Sequence, residues 1–210
     1  MEKIFFLNDV SLISKKKKIL NVNLEVEKGD FLVIQGSNST GKSLLLKLFC
    51  LKILPSSGSF YLEGEKLCNN LRKKILEFRK KMGVILQNDY LIPFFSVYQN
   101  IELASQIQNS KKDFSLRMKQ MSQWLDLEEI KEEKVINLSN SQKQKVVIAR
   151  ALINNPKVIV ADQPETYLDI ESKKKIFFLF ESLNKIGSTI IMTSNQSYNI
   201  NVEHKVLKLK

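Results

Sequence analysis

FLVIQGSNSTGKSLLLKLF, residues 31–49, decides the fold. An apolar run, FLVIQ, stops at Gly36. Small polar residues follow, and a leucine-rich run opens behind Lys42. The middle piece, GSNSTGKS (36–43), fits the pattern G-x-x-x-x-G-K-[ST] in the strand–loop–helix setting that gives that pattern meaning. Small residues let backbone N–H groups curl around phosphate oxygens, and the helix N-terminus adds a favourable dipole. The candidate phosphate contacts are therefore Gly36, Ser37, Asn38, Ser39, Thr40, Gly41, Lys42, Ser43 and Leu44. Lys42 would reach the outer phosphates, and the Ser43 hydroxyl would ligate Mg²⁺. A bare strand-to-helix turn leaves the agreement of strand, loop and helix unexplained.

Downstream, VIVADQPETYLD (158–169) supplies the complement. An apolar strand ending in an acid delivers a carboxylate to the carboxyl edge of a parallel sheet, where ligands bind in such folds. Asp162 can hold the ion that Ser43 touches. Between and around these two stretches the chain reads as follows. KIFFLNDV, ILNVNLEVE and DFLVIQ are strands, with turns at KKKK (15–18) and EKGD. LLLKLFCLKIL is a buried helix stopped near Pro55, and SSGSFYLEGEKL is a hairpin around Gly58 and Gly64. LRKKILEFRKK is a basic amphipathic helix and MGVILQ a short buried strand. Residues 94–154 are mostly helical; then come strand VIVAD, helix SKKKIFFLFESLNKIG and strand STIIMTS. That order predicts an α/β P-loop NTPase with an N-terminal antiparallel β arm and an inserted helical subdomain. One domain spans 1–210, with its core in 1–88 and 156–210 and the helical subdomain at about 89–155.

Composition agrees and narrows the options. The chain has 210 residues, 43% of them hydrophobic, enough for one sizeable core. No run approaches the length of a membrane-spanning helix, and MEKIFFLNDV lacks the form of a secretory signal. Cys50 and Cys68 match no metal spacing and imply reduced, packing thiols in the cytoplasm. The net charge of +11 comes with lysine-rich runs at 15–18, 72–74 and 79–81. A basic surface can attract nucleic acid or an anionic leaflet. No aromatic residues alternate with these lysines, as a single-strand binding face would require, so they read as a solvated surface.

LSNSQKQKVVIARALINNP (138–156) adds a third element. Here the chain resembles the ATP-binding subunits of ABC transporters, whose signature reads LSGGQ before a helix ending in IARAL. Further marks of that family fall in order: Gln87 in VILQN, Asp162, Asp169 in TYLD, and a switch region at MTSN. Within the family, FRKKMGVILQNDYLIPFFSVYQNI is most similar to the FtsE-like cell-division branch, with the lipoprotein-release and macrolide-export branches close to it. The resemblance implies ATP and Mg²⁺ as ligands. It implies a head-to-tail homodimer with ATP between the phosphate loop of one copy and Ser139, Asn140, Ser141 and Gln142 of the other, Asp169 lying at the same contact. Ser43, Gln87 and Asp162 become the metal ligands. An integral membrane partner, FtsX-like in that branch, places the chain in the cytoplasm at the inner face of the membrane.

The departures from the family pattern cluster at catalysis. Ser39 replaces the middle glycine of the phosphate loop, and a serine forced to positive φ would be strained. Leu44 replaces a threonine. No aromatic residue stands near Ser14, where one would stack on adenine, and Asn140 and Ser141 replace the paired signature glycines. Gln163 stands where a glutamate polarises the attacking water; an amide orients water but accepts no proton, and a positioned base gives about 10²–10⁴-fold. Asn195 takes the place of the switch histidine, with Ser194 as the alternative one residue earlier. The catalytic candidates are thus Gln163, Asn195 and Gln87; His204 lies too late in the chain. Glu165, where threonine is usual, is too far along to be assumed a replacement base.

Three functions compete. The first is an FtsE-like ATPase subunit with slow turnover; phosphoryl transfer rests mainly on positioning and electrostatics and tolerates loss of the base. The second is a nucleotide-dependent scaffold that closes on ATP without cleaving it. An ATPase of the lipoprotein-release or export type is the close variant of the first. The third, a nucleic-acid-binding relative drawn by the +11 charge, is the weakest, because such relatives usually carry two ATPase domains.

Overall fold

A computed structural model describes residues 2–14, 17–37, 40–87, 90–107, 113–194 and 200–209. Asn38, Ser39 and Asn195 lie outside the described residues, and so do the readings made of them. A five-stranded parallel sheet in the order β6-β7-β8-β3-β9 forms the centre. Its strands are β3 (Phe31–Gln35), β6 (Met82–Ile85), β7 (Val158–Asp162), β8 (Thr189–Ser194) and β9 (Lys205–Lys208). β7 and β8 are buried along their whole length, as a parallel sheet covered on both faces requires. Side chains alternate between two cores. Phe31, Val33, Ile159, Ala161, Ile190 and Met192 face one, shared with the helical region; Leu32, Ile34, Val158, Val160 and Ile191 face the other.

That second core is closed by α1 (Lys42–Phe49) and an antiparallel sheet, β2-β1-β4-β5. Its strands are β1 (Lys3–Ser14), β2 (Lys17–Glu27), β4 (Ser57–Leu62) and β5 (Glu65–Lys66). Phe5 is the hub, with ring centroids 5.3 Å from Phe49, 5.8 Å from Phe60 and 5.7 Å from Phe78. α2 (Arg72–Lys80) delivers Phe78.

The other core gathers α3 (Val97–Ile107), α4 (Phe114–Trp124), α5 (Asn140–Leu152) and α6 (Ile170–Lys185). α3 starts on a reciprocal cap between Ser96 and Gln99. Asn100 is fully buried; it receives Ile92 N–H and donates to the carbonyls of Ile92, Phe95 and Ser96, which fastens the loop ahead of the helix.

Several local expectations change. β1 runs on through SLIS, and Lys17 and Lys18 belong to β2. α1 stops at Phe49, well before Pro55, because Leu51 turns left-handed (φ +56°). Lys52 N–H then bonds Lys47 O and Leu51 N–H bonds Leu48 O, a Schellman ending. The Arg79 guanidinium donates to the carbonyls of Cys50 and Leu51, so this member of the basic run 79–81 closes a helix end. β9 was not anticipated; it adds to β3, with Leu209 N–H on Gln35 O at 2.8 Å. No helix among the described residues is long and apolar enough to cross a membrane.

Candidate functional site

The phosphate loop leaves the carboxyl end of β3 and opens α1. Gly41 sits at φ +93°, a conformation that glycine alone takes without strain. Gly36 has a different reason to be glycine: a Cβ there would lie 2.7 Å from Thr40 Oγ1 and 2.9 Å from the Leu209 carbonyl of the chain running alongside. Lys42 is 5% exposed, and its Nζ donates to the carbonyls of Gly36 at 2.6 Å and Ser37 at 2.8 Å. Thr40 Oγ1 also donates to Ser37 O, at 2.9 Å. The loop is thus wrapped around the ammonium group that a phosphate would compete for. Ser43 is exposed in the first turn of α1, whereas Leu44 packs against the arm-side core. The hydroxyl missing at 44 is traded for apolar packing.

Asp162 ends β7, 4% exposed, and Thr193 Oγ1 donates to its Oδ1 at 2.7 Å. The same hydroxyl accepts Gln163 N–H at 3.0 Å. Gln163 is left-handed, φ +47°, an uncommon conformation for a long side chain. β7 and β8 pair Asp162 with Thr193, so Ser194 stands one residue beyond, level with Gln163 at the sheet edge. Asn195, the first choice for the switch position, lies outside the described residues, so only the alternative, Ser194, has a described place. Glu165 is buried, accepts from Ser194 Oγ at 2.9 Å, and has its carboxyl pushed above the usual range, chiefly by desolvation. Gln87 is exposed in the turn after β6.

The signature caps α5. Ser139 Oγ accepts Gln142 N–H at 3.2 Å, and Gln142 Oε1 accepts Ser139 N–H at 2.9 Å. The Ser139 hydroxyl proton is not used in that cap and remains available as a donor. Ser139 and Asn140 are exposed and Ser141 is half-buried. Asp169 caps α6: Oδ1 accepts Ser172 N–H at 2.8 Å and Oδ2 accepts Ser172 Oγ at 2.9 Å, which holds its carboxyl below the ordinary range. Gln144 in α5 donates to Pro164 O at 3.0 Å and ties the signature helix to the turn after Asp162.

Sequence reasoning missed Thr193, Gln144 and the Glu165–Ser194 pair. The only signals were hydroxyl residues ending an apolar strand, STIIMTS, and an acid inside a turn that is otherwise apolar or small.

The sequence profile of the ABC transporter family matches residues 19–166. An ABC transporter ATP-binding protein of Methanocaldococcus jannaschii, MJ1508, is 33% identical over 94% of this chain and 89% of its own length. The lipoprotein-releasing system ATP-binding protein LolD of Aquifex aeolicus is 30% identical over 100% of this chain and 95% of its own. The methionine import ATP-binding protein MetN of Francisella tularensis is 38% identical, and the chain spans 51% of its length. The dimeric, post-hydrolysis structure of the ATP-binding cassette MJ0796 bound to ADP and Pi superposes with a TM-score of 0.85, at 30% identity over 98% of this chain and 94% of that one.

Proposed function

The chain belongs to the ABC transporter family of ATP-binding proteins, and from that premise we propose that it is the ATP-binding subunit of a two-part complex, binding MgATP between two copies and hydrolysing it slowly to drive a separate membrane-spanning partner. The observation that carries this reading is the loop closed on Lys42 at the sheet edge where Asp162 ends β7. Lys42 is already caged by carbonyls, so a phosphate replaces its partners without having to bury a free charge.

The donor set suits magnesium. Ser43, the second oxygen of Asp162 and the Gln87 side-chain carbonyl would offer it hard oxygen ligands. When bound, magnesium neutralises charge on the transferring phosphate. The chain's own residues do the rest. Thr193 fixes Asp162, Gln163 orients water, and Ser139 of a second copy donates its free hydroxyl proton to the γ-phosphate. The dimeric MJ0796 cassette supports that arrangement by likeness.

A groove of about 470 Å³ between α2, α3 and α5, lined among others by Met82, Tyr90, Ile92, Leu103 and Arg150, suits a partner segment. Phe94, two residues along the chain from Ile92, is 71% exposed. Such a partner would hold the chain at the inner face of the membrane. The LolD likeness favours a lipoprotein-release type of complex over the FtsE-like, FtsX-partnered cell-division type. Nucleic acid is not a partner in this reading.

Steady-state phosphate release tests it, with Lys42→Ala as background. The wild type should turn over slowly but above that variant, and Gln163→Glu should raise the rate by about 10²-fold or more. Turnover equal to the Lys42→Ala background would leave the scaffold alternative. Co-purification with a membrane protein would identify the partner.

A further inference from the structure

β9 ends against the phosphate loop. Its register with β3 sets Leu32 opposite Lys205 and Gln35 opposite Lys208. Leu209 therefore stands beside Gly36, the first residue of the loop. Leu209 N–H donates to Gln35 O at 2.8 Å. The Leu209 carbonyl oxygen and Cβ lie 2.9 and 3.3 Å from the point where a side chain on Gly36 would begin. On the other side of β3, Gln35 pairs with Ser194 of β8. The root of the loop is thus held between two strands.

An edge strand that only covered β3 could stop anywhere along it, but β9 is fastened at both ends. Lys205 Nζ lies 2.7 Å from Asp30 Oδ2 at its start, and Leu209 bonds Gln35 O at its finish. Alternation along β9 sends Leu207 and Leu209 to the arm-side core, where Leu44 of α1 also packs. Gly36 is confined from several directions. Its carbonyl accepts from Lys42 Nζ at 2.6 Å, Thr40 Oγ1 stands 2.7 Å from its side-chain position, and Leu209 closes it off from β9. A Gly36 free to drift toward β9 would carry its carbonyl off Lys42 and disturb the curl of the loop behind it. A loop already held in its bound form spares the ligand the cost of ordering it.

Resting on the nucleotide-binding reading above, we propose that Leu209 is a positioning residue for nucleotide binding. Through its bond to Gln35 and its contact with Gly36 it keeps the phosphate loop in the form that takes phosphates. It does not touch the nucleotide. Coupling between two sites is reciprocal, so a phosphate chain seated in the loop steadies the Leu209–Gln35 bond in return.

The test measures MgATP affinity, thermal stability and amide exchange in the full chain. Leu209→Pro has no N–H to give Gln35, and proline is tolerated on an edge strand. Its affinity should fall about 10-fold, as for the loss of one hydrogen bond, while its melting midpoint stays near that of the wild type. Leu209→Met keeps the bond and the bulk and should bind like the wild type. In the wild type, saturating MgATP should slow exchange of the Leu209 N–H by about 10-fold. The Leu67 N–H, bonded to Phe60 O in the β arm, is the control and should not slow to that extent.

If the wild type binds MgATP and a folded Leu209→Pro binds it equally well, Leu209 has no such role. The proposal also fails if nucleotide leaves Leu209 exchange unchanged or slows Leu67 as much, a measurement on the wild type that decides the matter even where Leu209→Pro does not fold. Equal losses of affinity in Leu209→Pro and Leu209→Met would overturn it as well. A wild type that binds no MgATP would overturn the nucleotide-binding reading itself, and this proposal with it.

Discussion

Gln163 and Glu165 stand two residues apart and carry opposite burdens. Gln163 is bent into left-handed backbone, at a cost of about 1–2 kcal/mol, in the range seen for strained functional sites. Glu165 is an acid sealed from water with one oxygen unpartnered, which costs about 1–3 kcal/mol. Burial lifts its carboxyl above the ordinary value near ~4.3. The folded chain then holds a proton that the unfolded chain releases. Stability from that proton is full below about pH 4.3 and is lost as pH rises through the folded-state value. The amide of Glu165→Gln does not titrate. Urea melts at pH 5 and pH 8 should therefore show the variant gaining on the wild type as pH rises. A wild type that gains on the variant toward pH 8 would mean the carboxylate is ionised and stabilised in the fold.

Elements were legible where one stretch of chain determines them. VIVAD and STIIMTS are apolar on both faces, so any reading places them in the middle of a parallel sheet. GSNSTGKS announces its loop because the residue types needed to curl around phosphate are all local. What stayed hidden depends on contacts across the chain. KVLK gives no strand signal until β3 offers it a partner. Thr193 becomes meaningful only when β8 aligns with β7. Gly58 is the clearest case: it looks like a turn glycine but lies inside β4 at φ +83°. Opposite it, β1 bulges at Asp9 (φ +50°), and the pairing shifts register between Asn8 and Ser11. A Cβ at 58 would lie 2.2 Å from the Asp9 carbonyl oxygen. Gly58→Ala should thus destabilise the arm by about 1–3 kcal/mol, with a lower denaturation midpoint. Gly64→Ala meets no neighbour and bears only its turn strain, so it should cost less.

At the scale of the whole molecule, charge and dimer formation pull against each other. Each copy carries a net charge of +11, and the proposed head-to-tail dimer would bring two such bodies together. The surface ion pairs, such as Lys3–Glu25 and Lys205–Asp30, leave that net charge unchanged and contribute little to stability. In the proposed dimer, association would then come from the two nucleotides bridging Lys42 and Ser139, helped by salt that screens the repulsion. Asn140 and Ser141 add bulk where a signature of two glycines would let phosphate approach closely. Two trends follow for sedimentation velocity with MgATP. The dimer fraction should rise from about 0.01 M salt, where the screening length is about 30 Å, to 0.1 M, where it is about 10 Å. Asn140→Gly with Ser141→Gly should reach the same dimer fraction at lower ATP, and Lys42→Ala should remain monomeric throughout. A dimer that weakens steadily as salt rises over this range would instead mean that opposite charges hold the interface, against the net charge of the chain.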